Sequence, residues 1–408
     1  MSSTFQILLV VLSFVMSLVI TGFLIQLPNF LPDVPNQRSL HQRVTPRGGG
    51  LSFCLTFLLF LGLILWLYPE SRTGTLWALL VGGGLIGALG LLDDAFELPA
   101  LTRRSVEFAV SLAVCAFFGP DRMSVIGIFE ISGWPVLFVQ VIWLLACINF
   151  FNFMDGMDGL ATTQAWFIAL AFGAALWLDL AAQLGPGHSI GDAFAALHDG
   201  PFAGAVAALA GLAGSGPRSD TLTGWQSPAV YQTLAALLFA LAAGLLGFLV
   251  WNLPPARIYK GDAGYHFLGI TLGFLAIAFP WDSTALPTGI AIAWTLDQPP
   301  ARFADMQLMT LLWMPFLLDP LLTLIYRLRR GENPLRAHRE HCYQLLYQRG
   351  WSAARVVLLY AMVNVSMLIP AALKWLGQTN QVVLACAGAL ILVYSYGHAR
   401  IARSAGLI

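Results

Sequence analysis

Charge is scarce in this sequence. Only 10% of its 408 residues are charged, against roughly a quarter in an ordinary soluble domain. The 21 basic residues equal the 21 acidic ones, so no surplus positive charge is present to neutralise phosphates, and a basic nucleic-acid binder is excluded. So few charges also cannot cover the core of a soluble protein. With 58% apolar residues, the composition is typical of a protein that crosses a membrane several times.

Cysteines are few, and targeting signals are missing from the N-terminal run. None of the five cysteines is paired at a metal-ligand spacing, so the sequence predicts neither a disulfide framework nor a zinc site. The first residues lack a basic segment, and no small-residue cleavage site follows the apolar run. We therefore expect Phe5 to Leu27 to be a retained first span rather than a signal peptide.

The apolar runs predict an all-α, polytopic integral membrane protein. A spanning helix needs about 20 mostly apolar residues. Eleven runs meet this need, at 5–27, 49–68, 75–92, 103–119, 134–151, 160–182, 229–250, 264–281, 305–326, 353–373 and 381–398. No repeat is visible, so residues 1–408 are interpreted as one membrane domain, with 183–228 as an extracytoplasmic insertion.

The basic residues predict which side of the membrane each loop occupies. With the N-terminus outside and the C-terminus cytoplasmic, sixteen of the 21 basic residues lie on the cytoplasmic side. If 201–216 were a twelfth span, the later loops would change sides and this bias would be lost. Five polar segments then share the cytoplasmic face, at 33–50, 91–104, 149–161, 251–269 and 329–351.

Two of these segments are rich in carboxylates. Asp93 and Asp94 directly follow a glycine-rich apolar run, and adjacent carboxylates repel each other unless a cation is near. Taken alone, this pair is more simply interpreted as a solvated helix end.

Asn149, Asn152, Asp155 and Asp158 recur at spacings of three, so on a helix they would share one face and offer the hard oxygens that Mg²⁺ prefers. The alternative is a polar loop.

Two further segments carry weaker signals. Asp262 lies between Gly261 and Gly264 just before a predicted span, where a helix N-terminus can bind phosphate. His338 and His341 follow a run of arginines, which bind phosphate through two parallel hydrogen bonds. The sidedness of basic residues alone explains the arginines but not the two histidines. Taken together, the segments predict a Mg²⁺-dependent site for a pyrophosphate and a lipid-borne partner.

The sequence resembles the polyprenyl-phosphate N-acetylhexosamine-1-phosphate transferases, the MraY/WecA-type enzymes of glycosyltransferase family 4. The resemblance runs in order through D-x-P-N-x-R-x-x-H from Asp33 to His41, the Asp93-Asp94 pair, and N-x-x-N-F-x-D-G-x-D-G-L from Asn149 to Leu160. It continues through Gly261-Asp262-x-Gly264 and Ala337-His338-Arg339 to Gln344. The last block is similar to that of the branch that initiates O-antigen, and it lacks the triple histidine of the peptidoglycan branch.

The resemblance implies transfer of a sugar 1-phosphate from a UDP-N-acetylhexosamine to undecaprenyl phosphate at the cytoplasmic face of a bacterial inner membrane. Asn152 and Asp262 would hold Mg²⁺, with Mn²⁺ as the alternative ion, and Asp93 and Asp94 would be the catalytic pair. The implied substrate contacts are Arg38, His41, Arg103, Asn149, Asp155, Asp158, Asn252, Arg257, Lys260, His338, Arg339 and His341. The lipid bilayer is the expected partner, nucleic acid is not, and a homodimer is left open.

Three residues depart from the family pattern and keep other interpretations open. Tyr265 stands where Ser is usual, Lys260 where Met is usual, and Glu107 where Gln is common. The first two flank Asp262, so an inactive relative is one alternative. A transporter or flippase of lipid-linked sugars is another, because transporters carry ionisable groups within the membrane. Among the acids, only Glu107 and Asp319 are expected to be deeply buried, which favours the enzyme.

Overall fold

The computed structural model describes residues 1–27, 30–33, 44–69, 72–119, 122–125, 129–184, 228–278, 306–333, 338–375 and 380–406. In this part of the chain almost every element is a helix. The helices are α1 Ser3–Gln26, α2 Leu51–Leu67, α3 Gly74–Phe96, α4 Ala100–Phe118, α5 Trp134–Met154, α6 Leu160–Leu184, α7 Pro228–Asn252, α8 Gly261–Ala278, α9 Met306–Arg329, α10 Cys342–Gln348, α11 Ala353–Trp375 and α12 Asn380–Ser404. Two antiparallel pairs add β1 Pro32–Asp33 with β2 Thr45–Pro46, and β3 Arg122–Val125 with β4 Phe129–Ser132.

The helix boundaries follow local sequence signals. Ser2 caps α1 by accepting a hydrogen bond from the amide of Phe5 at 3.3 Å, and Thr73 caps α3 in the same way. Pro99 directly precedes α4, where a missing amide proton costs nothing. Prolines also lie within α9 and α11, as membrane helices tolerate when neighbouring helices satisfy the freed carbonyl groups.

The predicted all-α membrane fold is confirmed, and each of the eleven predicted spans coincides with one long helix. Within the described ranges, eight helices are long and apolar enough to cross a membrane. The other three are α2, which has 17 residues, α4, which carries Arg103, Arg104 and Glu107, and α8, which carries Asp262 and His266. The number of crossings and the sidedness therefore stay predictions. The predicted insertion at 183–228 lies outside the described residues except at its ends.

Helix α8 lies at the centre of the protein. Its residues from Ala263 to Ala278 are all buried, and it packs mainly against α3 and α5. Helix α7 fills a similar place between α1 and α6. Large apolar side chains are instead exposed on the outer helices, as at Phe23 of α1 and Leu392 of α12. Because α8 is surrounded by protein, it can carry polar side chains that lipid would exclude.

Close contact between α3 and α8 brings the ends of these helices together. At Gly90, one turn before the aspartate pair, an added Cβ would overlap the carbonyl oxygen of Asp262. Gly84, on the same helix, has nothing within 4 Å of the corresponding position. The absence of a side chain at Gly90 thus sets the separation between the aspartate pair and the start of α8.

We expect Gly90→Ala to force α3 away from the start of α8. Overpacking of this kind costs about 1–3 kcal/mol, so the purified variant should unfold at a lower temperature than the wild type in detergent. Gly84→Ala is the matched control, because it makes the same change on the same helix in open space. Equal unfolding temperatures for the two variants would contradict the close approach.

Candidate active site

The backbone of the first polar segment pairs with that of the fourth. The amide of Tyr259 donates to the carbonyl of Pro46 at 2.8 Å, and the amide of Gly49 donates to the carbonyl of Tyr259 at 2.9 Å. The amide of Gly50 continues the pattern with the carbonyl of Lys260 at 2.8 Å. The glycine-rich turn after β2 is therefore held directly against the loop that leads into α8.

The paired aspartates are buried in the last turn of α3. Asp93 is 4% exposed and Asp94 is 2% exposed. One oxygen of Asp94 accepts a hydrogen bond from the amide of Ala263 at 3.1 Å, and the other lies 3.5 Å from Nε of Arg47. The interpretation of this pair as a solvated helix end is therefore wrong, because both carboxylates are enclosed and held by neighbouring segments.

A third carboxylate joins this pair. The carboxyl groups of Asp93 and Asp262 lie close enough to share a hydrogen bond when one of them is protonated. The guanidinium of Arg103 forms an ion pair with Asp93 and lies 3.8 Å from the carboxylate of Asp262. The amide of Leu98 donates to the remaining oxygen of Asp93 at 2.9 Å. The structure thus brings the second and fourth polar segments together, as the sequence predicted.

These residues have the chemistry that a Mg²⁺ site requires. Two carboxylates in direct contact repel when both are ionised, and a divalent cation removes that repulsion. Asn152 adds an amide on the same side, since it donates to the phenol oxygen of Tyr265 at 2.9 Å, one turn along α8 from Asp262. Carboxylate and amide oxygens are the hard donors that Mg²⁺ prefers. The residues fit the predicted ion, whose binding stays a prediction.

The third polar segment does not form one helical face. Helix α5 ends at Met154, so Asn149 and Asn152 lie on the helix, Asp155 is its C-cap residue and Asp158 lies in the following turn. The helical interpretation of the four residues is therefore wrong beyond Met154. The glycines that follow favour a turn over a continued helix, and this signal was present in the sequence.

Residues of this segment contact two other segments. The carbonyl oxygen of the Asn149 side chain accepts a hydrogen bond from the guanidinium of Arg104, next to Arg103 on α4. The carboxylate of Asp158 accepts a hydrogen bond from the amide of Ala256 at 2.9 Å. The third segment therefore joins both α4 and the loop before α8.

Lys260 forms a buried ion pair with Asp155. Its ammonium lies 2.9 Å from the carboxylate and 5.6 Å from the ring centre of Phe151, and the lysine is 1% exposed. Burial lowers the pKa of Lys260 and raises that of Asp155, while each charge opposes the shift of the other. The departure from the family pattern at Lys260 thus has a specific partner within the site.

The departure at Glu107 also has a partner. Its carboxylate lies 2.8 Å from Nε2 of His266, and Nδ1 of that ring lies 2.8 Å from the carbonyl oxygen of Asp262. Arg104 contacts the same carboxylate at 3.2 Å. Since Tyr265 contacts Asn152, all three departures from the family pattern make polar contacts around Asp262.

The last polar segment lies against the third. The ring of His341 stacks on that of Phe153 with 6.0 Å between centres, and the hydroxyl of Tyr343 donates to the carbonyl of Phe153 at 2.9 Å. His338 lies 4.8 Å from His341, ring to ring. Burial, followed by the positive charges of His341 and Arg327, lowers the pKa of His338 to about 4. In the free protein at neutral pH, His338 is therefore an uncharged hydrogen-bonding group.

Two predicted substrate contacts lie in different surroundings. The side chain of Asn252 is buried, accepts a hydrogen bond from the amide of Gly159 at 3.2 Å and donates to the carbonyl of Ile258 at 3.0 Å. These contacts fix the backbone at Gly159 and Ile258, next to the site. Arg257 is exposed, with its guanidinium 5.5 Å from the ring centre of Trp251.

Some predicted residues lie outside the described ranges, and some contacting residues were not predicted. Arg38 and His41 belong to the first group. Arg47 and Arg104 belong to the second, although both lie within predicted polar segments, at 33–50 and 91–104. Their place in those segments was visible in the sequence, but their partners Asp94 and Asn149 lie more than 40 residues away and depend on how the helices pack.

We expect Lys260→Met to destabilise the protein, because it leaves the half-buried Asp155 without a counter-charge. The loss should be up to about 3 kcal/mol, at the lower end for a broken buried pair since Asp155 is partly exposed. The double variant Lys260→Met/Asp155→Asn should recover much of it, as seen by thermal unfolding in detergent. The exposed Arg355→Met is the control for loss of a cation. Equal losses in the single and double variants would refute the pairing.

Comparison with known sequences agrees with this geometry. A family model described as glycosyl transferase family 4 matches residues 76–280, which include both the aspartate pair and Asp262. The decaprenyl-phosphate N-acetylglucosaminephosphotransferase of Mycolicibacterium smegmatis is 27% identical over 340 residues, covering 80% of this chain and 70% of the relative.

Two further relatives show similar overlap. The undecaprenyl-phosphate alpha-N-acetylglucosaminyl 1-phosphate transferase of Escherichia coli K12 is 23% identical over 343 residues, covering 81% of this chain and 72% of its own. A probable undecaprenyl-phosphate N-acetylglucosaminyl 1-phosphate transferase of Bacillus subtilis is 26% identical over 265 residues, covering 62% and 57%. The similarity thus extends beyond the part of the chain that the family model matches.

Proposed function

Because the chain belongs to glycosyl transferase family 4, we propose that it transfers an N-acetylhexosamine 1-phosphate from a UDP-sugar to undecaprenyl phosphate. An oxygen of the lipid phosphate attacks the phosphorus that carries the sugar. The bond from that phosphorus to the oxygen of the uridine phosphate then breaks. The products are undecaprenyl-pyrophosphoryl-sugar and UMP.

The observation that carries this proposal is the convergence of Asp93 and Asp262 on Arg103, with Asp94 beside them and paired with Arg47. Phosphoryl transfer depends on holding the attacking and leaving oxygens in place while charge on the phosphate is neutralised. In this proposal Asp93 and Asp94 serve the lipid phosphate, one of them as a proton acceptor. Arg103 supplies positive charge between the two ends of the site.

Asp262 and Asn152 would hold Mg²⁺, with Mn²⁺ as the alternative ion. When bound, the ion would neutralise pyrophosphate charge and favour departure of UMP. The chain's own contribution is to fix both ligands, since the start of α8 is held by Asp94 and Gly90, and Asn152 is held by Tyr265.

The remaining polar residues serve the sugar nucleotide. Asp155 pairs with Lys260, and Asp158 accepts a hydrogen bond from the amide of Ala256. We infer that these contacts fix the backbone that lines the nucleotide side of the site. His338 is uncharged in the free protein and would donate a hydrogen bond. The positive charge toward the diphosphate would come from Arg339 instead.

The two substrates explain why such a site lies at a membrane surface. One carries a long isoprenoid that stays in lipid, whereas the other is a charged nucleotide that cannot enter it. The sidedness of basic residues supports a cytoplasmic site in a bacterial inner membrane. The single histidines at 338 and 341 support the branch that initiates O-antigen and related envelope polysaccharides.

Three residues of the site differ from the family pattern, and their contacts favour an active enzyme over an inactive relative. Lys260, Tyr265 and Glu107 each contact another polar side chain of the site. Each of the three is therefore held in place within the site. Asp93, Asp94 and Asp262 also lie at helix ends around one another, which favours a transferase over a transporter.

We expect membranes that contain the protein to release UMP from a UDP-N-acetylhexosamine only when undecaprenyl phosphate is present. A panel of UDP-sugars, beginning with UDP-N-acetylglucosamine, would identify the sugar. Removal of divalent ions should abolish release, and added Mg²⁺ should restore it. Asp262→Asn should lower the rate by at least about 100-fold, the usual effect of losing a key electrostatic group.

Glu97→Gln is the matched control for this assay, because it removes an exposed carboxylate from the same end of α3. It should leave UMP release unchanged. Full activity of Asp262→Asn would overturn the metal role. Sugar uptake into vesicles without UMP release would support a transporter and overturn the proposed reaction.

A further inference from the structure

A buried carboxylate outside the described site is surrounded by hydrogen-bond donors. Asp319, in the middle of α9, is 0% exposed. One oxygen accepts a hydrogen bond from the amide of Cys342 at 2.9 Å and lies 3.3 Å from Nε2 of His398 and 3.6 Å from Nδ1 of His341. The other oxygen accepts a hydrogen bond from the hydroxyl of Tyr360.

These contacts join four helices at one point. Asp319 lies on α9, Cys342 begins α10, Tyr360 lies on α11 and His398 lies on α12. A backbone amide can only donate, so the oxygen of Asp319 that faces Cys342 acts as an acceptor. A buried carboxylate is stable only when such donors replace water. Tyr360 and His398 thus help to hold the charge that fixes the start of α10.

The start of α10 is in turn connected to the candidate active site. His341 is the N-cap residue of α10, and its ring stacks on Phe153 at the end of α5. Tyr343, in the first turn of α10, donates to the carbonyl of Phe153. Asp155 follows two residues later. A shift of α10 would therefore move both the His338–His341 segment and the turn that carries Asp155.

We propose that Tyr360 and His398 are positioning residues, which act through Asp319 to hold His341 and the start of α10 against the active site. The inference rests on the proposed function, because it assigns the His338–His341 segment to the sugar nucleotide. Both residues lie beyond the family match at 76–280. This inference gives α11 and α12, which carry Tyr360 and His398, a role in substrate binding.

A metal ion is the competing account of the same residues. Donor atoms of Asp319, Cys342 and His398 lie within 4.8 Å of one another. The carboxylate is, however, already contacted by the amide of Cys342 and the hydroxyl of Tyr360. Each of these contacts uses an oxygen that a metal would need, so the hydrogen-bonded arrangement is favoured.

The kinetic test uses the purified full-length protein with the active UDP-sugar and undecaprenyl phosphate. His398→Leu should raise KM for the UDP-sugar about tenfold, the effect of losing a hydrogen bond to a charged group, with a smaller change in kcat. Tyr360→Phe should act in the same direction. His398→Gln should recover most of the loss, because its amide can still donate from a similar position. Tyr396→Phe is the control, since Tyr396 is exposed on α12.

Hydrogen–deuterium exchange of the same variants without substrate separates this inference from the proposed reaction. His398→Leu and Tyr360→Phe should speed exchange in residues 338–348, whereas His398→Gln and Tyr396→Phe should not. If the wild type releases no UMP with any UDP-sugar, the proposed reaction is wrong and the exchange result still decides the positioning role. Unchanged exchange and unchanged KM in both variants would overturn it. The positioning role would also be overturned if the purified wild type contained one equivalent of bound zinc that is lost in His398→Leu.

Discussion

Charge balance at the junction of α3 and α8 is the constraint on which the site depends. Asp93, Asp94 and Asp262 place three carboxylates in an enclosed space, and Arg47 and Arg103 supply two guanidinium groups beside them. Buried charges persist only when they are paired and hydrogen-bonded, so none of these residues can be replaced independently. When all three carboxylates are ionised, their charge exceeds that of the two guanidinium groups by one, which suits the proposed binding of a divalent cation.

The overall fold could be predicted from hydropathy because a bilayer requires each crossing to be one helix. All eleven predicted spans correspond to long helices. The convergence of the aspartate pair with Asp262 was also predictable once both were assigned to one side. The prediction that one helical face extends to Asp158 was wrong, because α5 ends at Met154. Residues spaced by three share a face only while they belong to the same helix. Partners such as Arg47 and His398 could not be predicted, since pairing depends on how the helices pack.

The departures from the family pattern illustrate the same limit. From the sequence, Lys260 and Glu107 are isolated changes near a predicted metal-binding segment, and they keep an inactive relative open as an alternative. In the structure they face Asp155 and His266, so a charge gained at one position is met by a charge or donor at another. These pairs cannot be predicted from the sequence alone, because the two residues of each pair lie far apart in the chain.

The enclosure of α8 also has a consequence for biogenesis. Its side chains from Ala263 to Ala278 contact protein rather than lipid, and its first turns carry Asp262 and His266. A segment of this kind partitions poorly into a bilayer by itself, and its insertion depends on helices already present. The chain therefore cannot complete its active site until α3 and α5 have been assembled around α8. Newly made protein would lack the assembled candidate site while its helices are still separate.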